Sequence, residues 1–499
     1  MPIEPVFGKL SAKEKAGEVV RQVKIECKTD VSANAVERVL NDSVCAAVSL
    51  GDVVQGRAEF VGKSTFFICY TEKDGVKKCE CGAEIKDSFA SEMISEGDFI
   101  KLSWETDKIE TDLSGLKMTV SAYLTVKGEV YKNNEYSALT GGEGVYCNLT
   151  DVKTVKPCKA VLSSYQTEEE FDLNFAVAEV LAHRAEVCLT QVQCGVGTVI
   201  IDGEIYLTEI LLQSGDKRDI IRENKVIPFR AEAECEDAMP QTSATCRAYV
   251  KSLKTDVSVD EEKNVSILTA QISLELCGEA YTVGEENFAV DAFSTENELS
   301  LVKTRVDFTA ESAPNAAFAK ISGRANVDDI GTARVVAAID EKAEVVSTTF
   351  SEKGITVSGV LTVNALFVSE EGNLFTRKAE VPFETVLNGA TGGEKETVVA
   401  IKSATVKLIT LTEIECEAEA VFTVYDKTVY SAEIISALEA GEPKAVQTAA
   451  ISVYLPLAGE GLWELSKRLN VCPETLIETN SELQFPLTGK ERIVVYRQK

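Results

Sequence analysis

The chain has 499 residues, 45% of them hydrophobic and 26% charged, a composition of folded rather than disordered protein. Eighty Asp and Glu against 51 Lys and Arg leave a formal net charge of −29, which repels phosphate and anionic lipid and argues against nucleic-acid binding. The length exceeds what one core can serve, and domains of roughly 100 to 200 residues give an expectation of three to five. No apolar run reaches the about eighteen residues of a membrane-crossing helix, and the opening MPIEPVFGKLSAKEKAGEVV has no apolar signal-peptide core. The expected location is therefore inside the cell, with no direct membrane insertion. The fourteen cysteines would then be free thiols, several of them (Cys69, Cys188, Cys277 and Cys416) within strand-like apolar stretches.

Along the first 440 residues a set of anchors recurs in order. An early strand reads Gln22-Val23-Lys24-Ile25, and its counterparts read Asp151-Val152-Lys153-Thr154-Val155 and Leu301-Val302-Lys303-Thr304. A short helical stretch is expected next, at Ala33 to Leu40 and at Phe175 to His183. A strand beginning near a glycine follows, from Gly62, Gly203 and Gly359. It runs into a hairpin turn at Asp74-Gly75, Ser214-Gly215 and Glu371-Gly372, where glycine supplies positive φ. The returning strand ends in Val226-Ile227-Pro228-Phe229 and Val381-Pro382-Phe383, with only Phe89 as the counterpart in the first copy. Strict alternation then marks half-buried strands: Leu116, Met118, Val120, Ala122, Leu124 and Val126, and later Ile414, Cys416, Ala418, Ala420, Phe422 and Val424, whose intervening Glu415, Glu417 and Glu419 read as a solvated face that resists edge pairing. The anchor tyrosines closing the long strands, Tyr131, Tyr281 and Tyr430, lie 150 and 149 residues apart. The expected fold is mostly β with minor α: three tandem antiparallel β-rich repeat domains at 1–148, 149–298 and 299–440, then a C-terminal βααβ domain at 450–499.

That last segment, from Ile451, carries six basic and six acidic residues, so the whole acidic excess belongs to the first 450. It reads as strand, turn, helix, helix, strand: Val453 to Leu457, the Gly459-Glu460-Gly461 turn, Leu462, Leu465 and Leu469 at helical spacing with Trp463 beside them, Pro473 in the first turn of a second helix, and Arg492 to Tyr496. Trp463, Leu465, Leu469, Leu476 and Ile493 are expected to form its small core.

Chemistry is sparse elsewhere. His183, the only histidine, sits beside an apolar stretch and reads as structural. Cys79-Glu80-Cys81 has no second pair at zinc spacing, Gly195-Val196-Gly197 lacks the rest of a dinucleotide loop, and no GxxxxGK(S/T) string occurs. No catalytic residue, metal site or cofactor is expected.

The C-terminal pattern resembles a LysM domain, a βααβ unit whose ligand groove lies between the loop after strand one and the loop after helix two. On that resemblance the groove residues are Gly459, Glu460, Gly461 and Leu462 on one side and Asn480, Leu483, Gln484, Phe485 and Pro486 on the other. Gly461 stands where the family commonly has Thr or Ser, which removes a hydroxyl that could cap the helix or meet a sugar. Three acidic β-rich repeats followed by LysM resemble the spore-coat-associated (SPOCS) domain proteins of endospore-forming bacteria, most closely the LysM-containing coat morphogenetic proteins of clostridial spore formers. The resemblance implies a non-enzymatic scaffold of the mother cell, at the forespore surface, whose partners are a coat morphogenetic ATPase and other coat proteins. On this reading the repeats supply length and the LysM groove supplies docking. The alternative is a cell-envelope protein whose groove holds N-acetylglucosamine units of peptidoglycan, which would require export.

Overall fold

A computed structural model describes residues 3–496 apart from 32–34, 74, 115–116, 216–218, 261–264, 329, 352–353, 389–393 and 446–450. Asp74 of the first expected turn and Leu116 of the first alternating run lie outside the described residues. The chain is mostly β, organised in several antiparallel sheets, with two short helices near its end. No described helix is long and apolar enough to cross a membrane.

Six strands make the first section: β1 (Glu4–Thr29), β2 (Arg38–Val54), β3 (Arg57–Glu72), β4 (Gly75–Ala90), β5 (Phe99–Asp112) and β6 (Met118–Glu143). They pair as β1-β6-β5 and β2-β3-β4. The second section has β7 (Tyr146–Asp172), β8 (Val177–Cys194), β9 (Thr198–Gln213), β10 (Ile220–Glu234), β11 (Ser243–Asp260) and β12 (Val265–Phe293), paired as β7-β12-β11 and β8-β9-β10. The third repeats this order with its first strand broken at Ser312 to Pro314 into β13 (Asn297–Glu311) and β14 (Asn315–Asn326), a break that suits the missing proline N–H. It continues as β15 (Arg334–Ser351), β16 (Gly354–Val368), β17 (Leu374–Leu387), β18 (Glu394–Thr410) and β19 (Glu413–Pro443). Both β13 and β14 pair with β19, as does β18, while β15-β16-β17 form the second sheet.

In each section the inward faces of the two sheets enclose one core. Met118, Val120, Ala122, Leu124 and Val126, all fully buried, meet Phe60, Phe66 and Ile68 in the first. Ile414, Cys416, Ala418, Ala420 and Phe422 do the same against Leu361 and Val363 in the third. The alternation read from sequence is thus the alternation of burial. The glutamates between the latter set stay outside, where Arg324 bridges Glu415 and Lys407 bridges Glu417.

The two stretches expected to be helical are strand. Within the described residues, 38–40 begin β2 and 177–183 belong to β8. Bulges explain the misreading: register shifts at Val39/Asn41 in β2, and at Val177/Glu179 and Val180/Ala182 in β8, break the period of two and leave apolar residues at helix-like intervals. Ala-rich β8 is also covered on both faces, with Val180, Leu181, Ala182 and His183 buried in succession, and a strand so placed shows no alternation.

The expected glycine lies inside each middle strand rather than at its start, and it marks a close approach. A Cβ on Gly203 would lie 2.6 Å from the Cys188 carbonyl oxygen and 2.6 Å from the Phe229 ring, and one on Gly359 would collide with the Glu344 carbonyl and the Phe383 ring. Gly203 pairs with Phe229 and Gly359 with Phe383, but Gly62 pairs with Ile85. Ile85, not Phe89, is therefore the first-section counterpart; Phe89 packs instead at Gly128.

The sections are not strung out as spacers. Leu40 and Phe67 of the first, Leu181 and Leu211 of the second and Ile339 and Leu366 of the third fill one common core. A second joins Leu10 and Ala138, Val155 and Phe288, and Phe308 and Ile434, where the long first-and-last strand ribbons run past their own sheets and converge. Length is thus not what the three sections contribute. The second section starts with β7 at Tyr146 and the third with β13 at Asn297.

Candidate functional site

The C-terminal segment contains β20 (Ile451–Tyr454), α1 (Leu462–Leu469), α2 (Pro473–Thr479) and β21 (Ile493–Tyr496), with β20 and β21 antiparallel and Tyr454 opposite Ile493. Leu465, Leu469, Val471, Leu476, Leu487, Ile493 and Val495 form its core, and Leu462, Leu483 and Phe485 pack half-buried against the rim. Pro473 opens α2, as its lack of an N–H allows, and Asn470 ends α1 in the left-handed conformation at φ 54°.

The two loops assigned to a groove do come together. The Gly459 N–H donates to the Leu487 carbonyl at 2.7 Å, and the Leu487 N–H donates to the Glu460 carbonyl at 2.9 Å. Gly459 makes the turn with φ at +85°. Gly461 caps α1 without a side-chain hydrogen bond, as expected for a glycine at that position. Gln484 and Pro486 are exposed beside half-buried Leu483 and Phe485.

Two of the nine residues are occupied with structure. Glu460 is buried; its carboxylate accepts both Arg468 nitrogens, Nε at 2.7 Å and Nη2 at 2.8 Å, and the Leu457 N–H at 2.9 Å. The Arg468 hydrogen bonds, with the Leu457 N–H in support, hold its carboxyl below the usual range against the opposing effect of burial. Asn480 closes α2 onto β21: its Oδ1 accepts the Val494 N–H at 2.7 Å, and its Nδ2 donates to the Val494 carbonyl at 2.7 Å. Both clamp the loops, leaving Leu462, Leu483, Gln484, Phe485 and Pro486 to offer contacts.

Trp463 is not a core residue. Its indole Nε1 donates to Asp291 Oδ2 of β12 at 2.8 Å, and its ring stands edge-on to Phe293 at 5.2 Å. Lys467 Nζ reaches both Asp291 oxygens at 2.7 Å, and Asn470 Nδ2 donates to the Thr295 carbonyl at 2.7 Å. Positions 463, 467 and 470 share one face of α1 at helical spacing, so the signal for this docking face was present in the sequence.

Next to the loops, the outward side of β20 and its continuation is apolar and open. Ile451, Val453, Leu455 and Leu457 alternate along it with 60, 60, 67 and 65% of their surface exposed. Tyr496, opposite Ile451 on β21, is also exposed. Four alternate apolar residues, two on a short edge strand and two on the chain that continues it, form a patch of the kind that a partner covers.

Deeper in the molecule, charge is used as fastening. Glu311 of β13 accepts Arg247 Nη2 of β11 at 2.9 Å and Lys101 Nζ of β5 at 3.0 and 3.1 Å, joining all three sections. Burial opposes its ionisation, but Arg247 and Lys101 outweigh this and hold its carboxyl at about 2. His183 is buried against Phe67 with Nδ1 3.1 Å from Thr255 Oγ1, and burial pushes it down to about 3. Cys79 and Cys81 lie on the inward side of β4, and among the described residues no group of three His, Cys, Asp or Glu is placed to hold a metal ion. Among the described residues Cys27, Cys69, Cys188, Cys246 and Cys416 are buried free thiols.

No protein-family profile, no curated protein and no solved structure matches this chain.

Proposed function

We propose that the chain is a non-enzymatic scaffold of spore-coat assembly, built of three SPOCS-like copies of one two-sheet unit and a LysM-type docking segment at 450–499. The thrice-written strand order supports the repeat reading, and the β20-α1-α2-β21 order supports the LysM reading. On this reading the protein acts in the mother cell, at the forespore surface, and its C-terminal segment binds a coat morphogenetic ATPase while the acidic body meets other coat proteins.

One observation carries the preference for a protein partner over a glycan. The row Ile451, Val453, Leu455 and Leu457 is exposed and aliphatic, whereas sugar rings are met by hydrogen-bonding groups and aromatic faces; moreover, the Glu460 carboxylate and the Asn480 amide beside it are already engaged. Aliphatic surface of this sort gains most by contact with another protein's side chains.

The deciding experiment is a pull-down of the coat ATPase with the full chain and with two sets of variants, Leu462→Ser with Phe485→Ser and Val453→Lys with Leu455→Lys. Both sets should lose the ATPase while keeping the unaltered circular dichroism spectrum. Full retention by both rejects the docking assignment. Sedimentation of the unaltered chain with purified cell wall at moderate salt would instead establish the peptidoglycan reading.

A further inference from the structure

Between the first and second sections lies a cavity of about 210 Å³. Its walls are Leu50, Phe99, Ile100 and Trp104 from one side and Leu162 and Cys277 from the other. Leu162 stands at the lip, 68% exposed on the outer side of β7. Trp104 is held in place by a hydrogen bond from its Nε1 to the Ala46 carbonyl at 2.9 Å and by stacking on Tyr249 at 4.0 Å. The wall is thus preformed rather than waiting to collapse.

The basic groups around it are already paired, and Asp98 at its edge accepts the Ser95 N–H at 2.7 Å. Lys101 and Arg247 share Glu311, Arg247 also reaches Glu396 at 2.9 Å, Lys251 meets Glu275 at 2.9 Å, and Lys13 meets Glu279. An anion entering would shed its water and find no free counter-charge, a cost that excludes anionic ligands. Two hydroxyls differ from the ion pairs. Ser49 Oγ gives its hydrogen to Glu275 at 3.2 Å and Thr245 Oγ1 gives its hydrogen to Glu311 at 3.2 Å, so each keeps lone pairs that can accept one hydrogen bond from a guest. The volume sets the size: an apolar cavity of about 150 Å³ holds benzene, so this one takes a body somewhat larger than a benzene ring.

We propose that this cavity binds a small uncharged alcohol with an aromatic or compact aliphatic body, seated between the two sections with its hydroxyl toward Ser49 and Thr245. Such a ligand would tighten the joint between sections, because it touches both and binds only where they are docked. This site is independent of the C-terminal segment and stands or falls apart from the scaffold reading.

The test uses 4-bromobenzyl alcohol, a neutral heavy-atom quencher, with the full chain carrying Trp463→Phe, which leaves Trp104 as the sole tryptophan. Quenching should saturate, calorimetry on the unaltered chain should give one site, and the melting temperature should rise with ligand. Leu162→Phe, a change at an exposed lip that the fold tolerates, should weaken binding by about tenfold by occupying the space. The anion 4-bromobenzoate should give no saturable quenching. Quenching linear in concentration, an unchanged affinity in Leu162→Phe, or equal binding of the benzoate would each overturn the assignment.

Discussion

Trp463 and Asp291, 172 residues apart in the chain, are joined by a 2.8 Å hydrogen bond that fixes the C-terminal segment to the end of β12. Lys467 shares the same carboxylate, and together the two donors keep it ionised against the opposing effect of burial. The tryptophan that a sequence reading assigns to a private core therefore faces outward, onto the body of the protein, while Leu465 and Leu469 keep the core side of α1. The segment is carried at a set position rather than on a free tether.

Replacing Asp291 by Ala should loosen that attachment without unfolding either side. The contact is partly exposed, so solvent screening keeps its worth to about 1 kcal/mol. Hydrogen exchange of the amides in α1 should speed up severalfold, while the strands around Leu124 and Phe422 stay protected. Unchanged exchange throughout α1 would mean that Phe293 and Thr295 hold the segment alone.

The joint between the second and third sections depends on a buried carboxylate. Glu341, only 2% exposed, accepts Arg184 Nη2 at 2.7 Å and Arg222, and its own carbonyl accepts Arg184 Nη1 at 2.9 Å. Burial opposes its ionisation, and the two guanidinium groups outweigh it. Glu341→Leu leaves Arg184 with Glu186 but strands Arg222 beside the Ala338 carbonyl. An uncompensated charge in such a place costs about 3 kcal/mol, at the lower end of the usual range because one partner survives. Urea unfolding should show the midpoint fall accordingly, and a change below about 1 kcal/mol would show that water reaches Arg222.

Particular residues show why some of the architecture was legible. Met118 to Val126 and Ile414 to Val424 bury one face only, so their period of two appears directly in the sequence. Strand β8 carries bulges and is covered on both sides, and its run from Val177 to Ala182 imitates a helix. Gly203 and Gly359 could be aligned because a phenylalanine ring lies against each, while Gly62 has Ile85 in that place, which no spacing argument singles out. In the candidate site the two loops were put side by side by the LysM resemblance and not by spacing, and the engagement of Glu460 by Arg468 and of Trp463 by the distant Asp291 has no local signature. Shared cores such as the one joining Leu40, Leu181 and Ile339 leave no local trace, because each residue looks like the core of its own section.

The only histidine and a buried glutamate should shape the pH dependence of stability. Glu209 is fully buried, with Oε1 accepting Thr255 Oγ1 at 2.8 Å and Oε2 without a hydrogen-bond partner among the described residues, and Thr255 also meets His183. Burial, outweighing the Thr255 hydrogen bond and the pull of Lys78, raises its carboxyl from 4.5 to about 8. The folded chain therefore keeps a proton that the unfolded chain loses, and stability falls as pH rises from 4.5 to about 8, by at most about 1.4 kcal/mol per unit. His183 acts in the opposite sense: burial, with Lys78 adding to it, lowers it from 6.5 to about 3, so stability falls as pH drops through that interval. The contributions of these two groups cancel between 4.5 and 6.5, and above 6.5 that of Glu209 stands alone of the pair. Glu209→Gln removes one slope, so its stability relative to the unaltered chain should climb steadily from pH 4.5 to about 8. Urea midpoints for both proteins across this range check the expectation; parallel curves above pH 6.5 would show that Glu209 is already ionised in the fold.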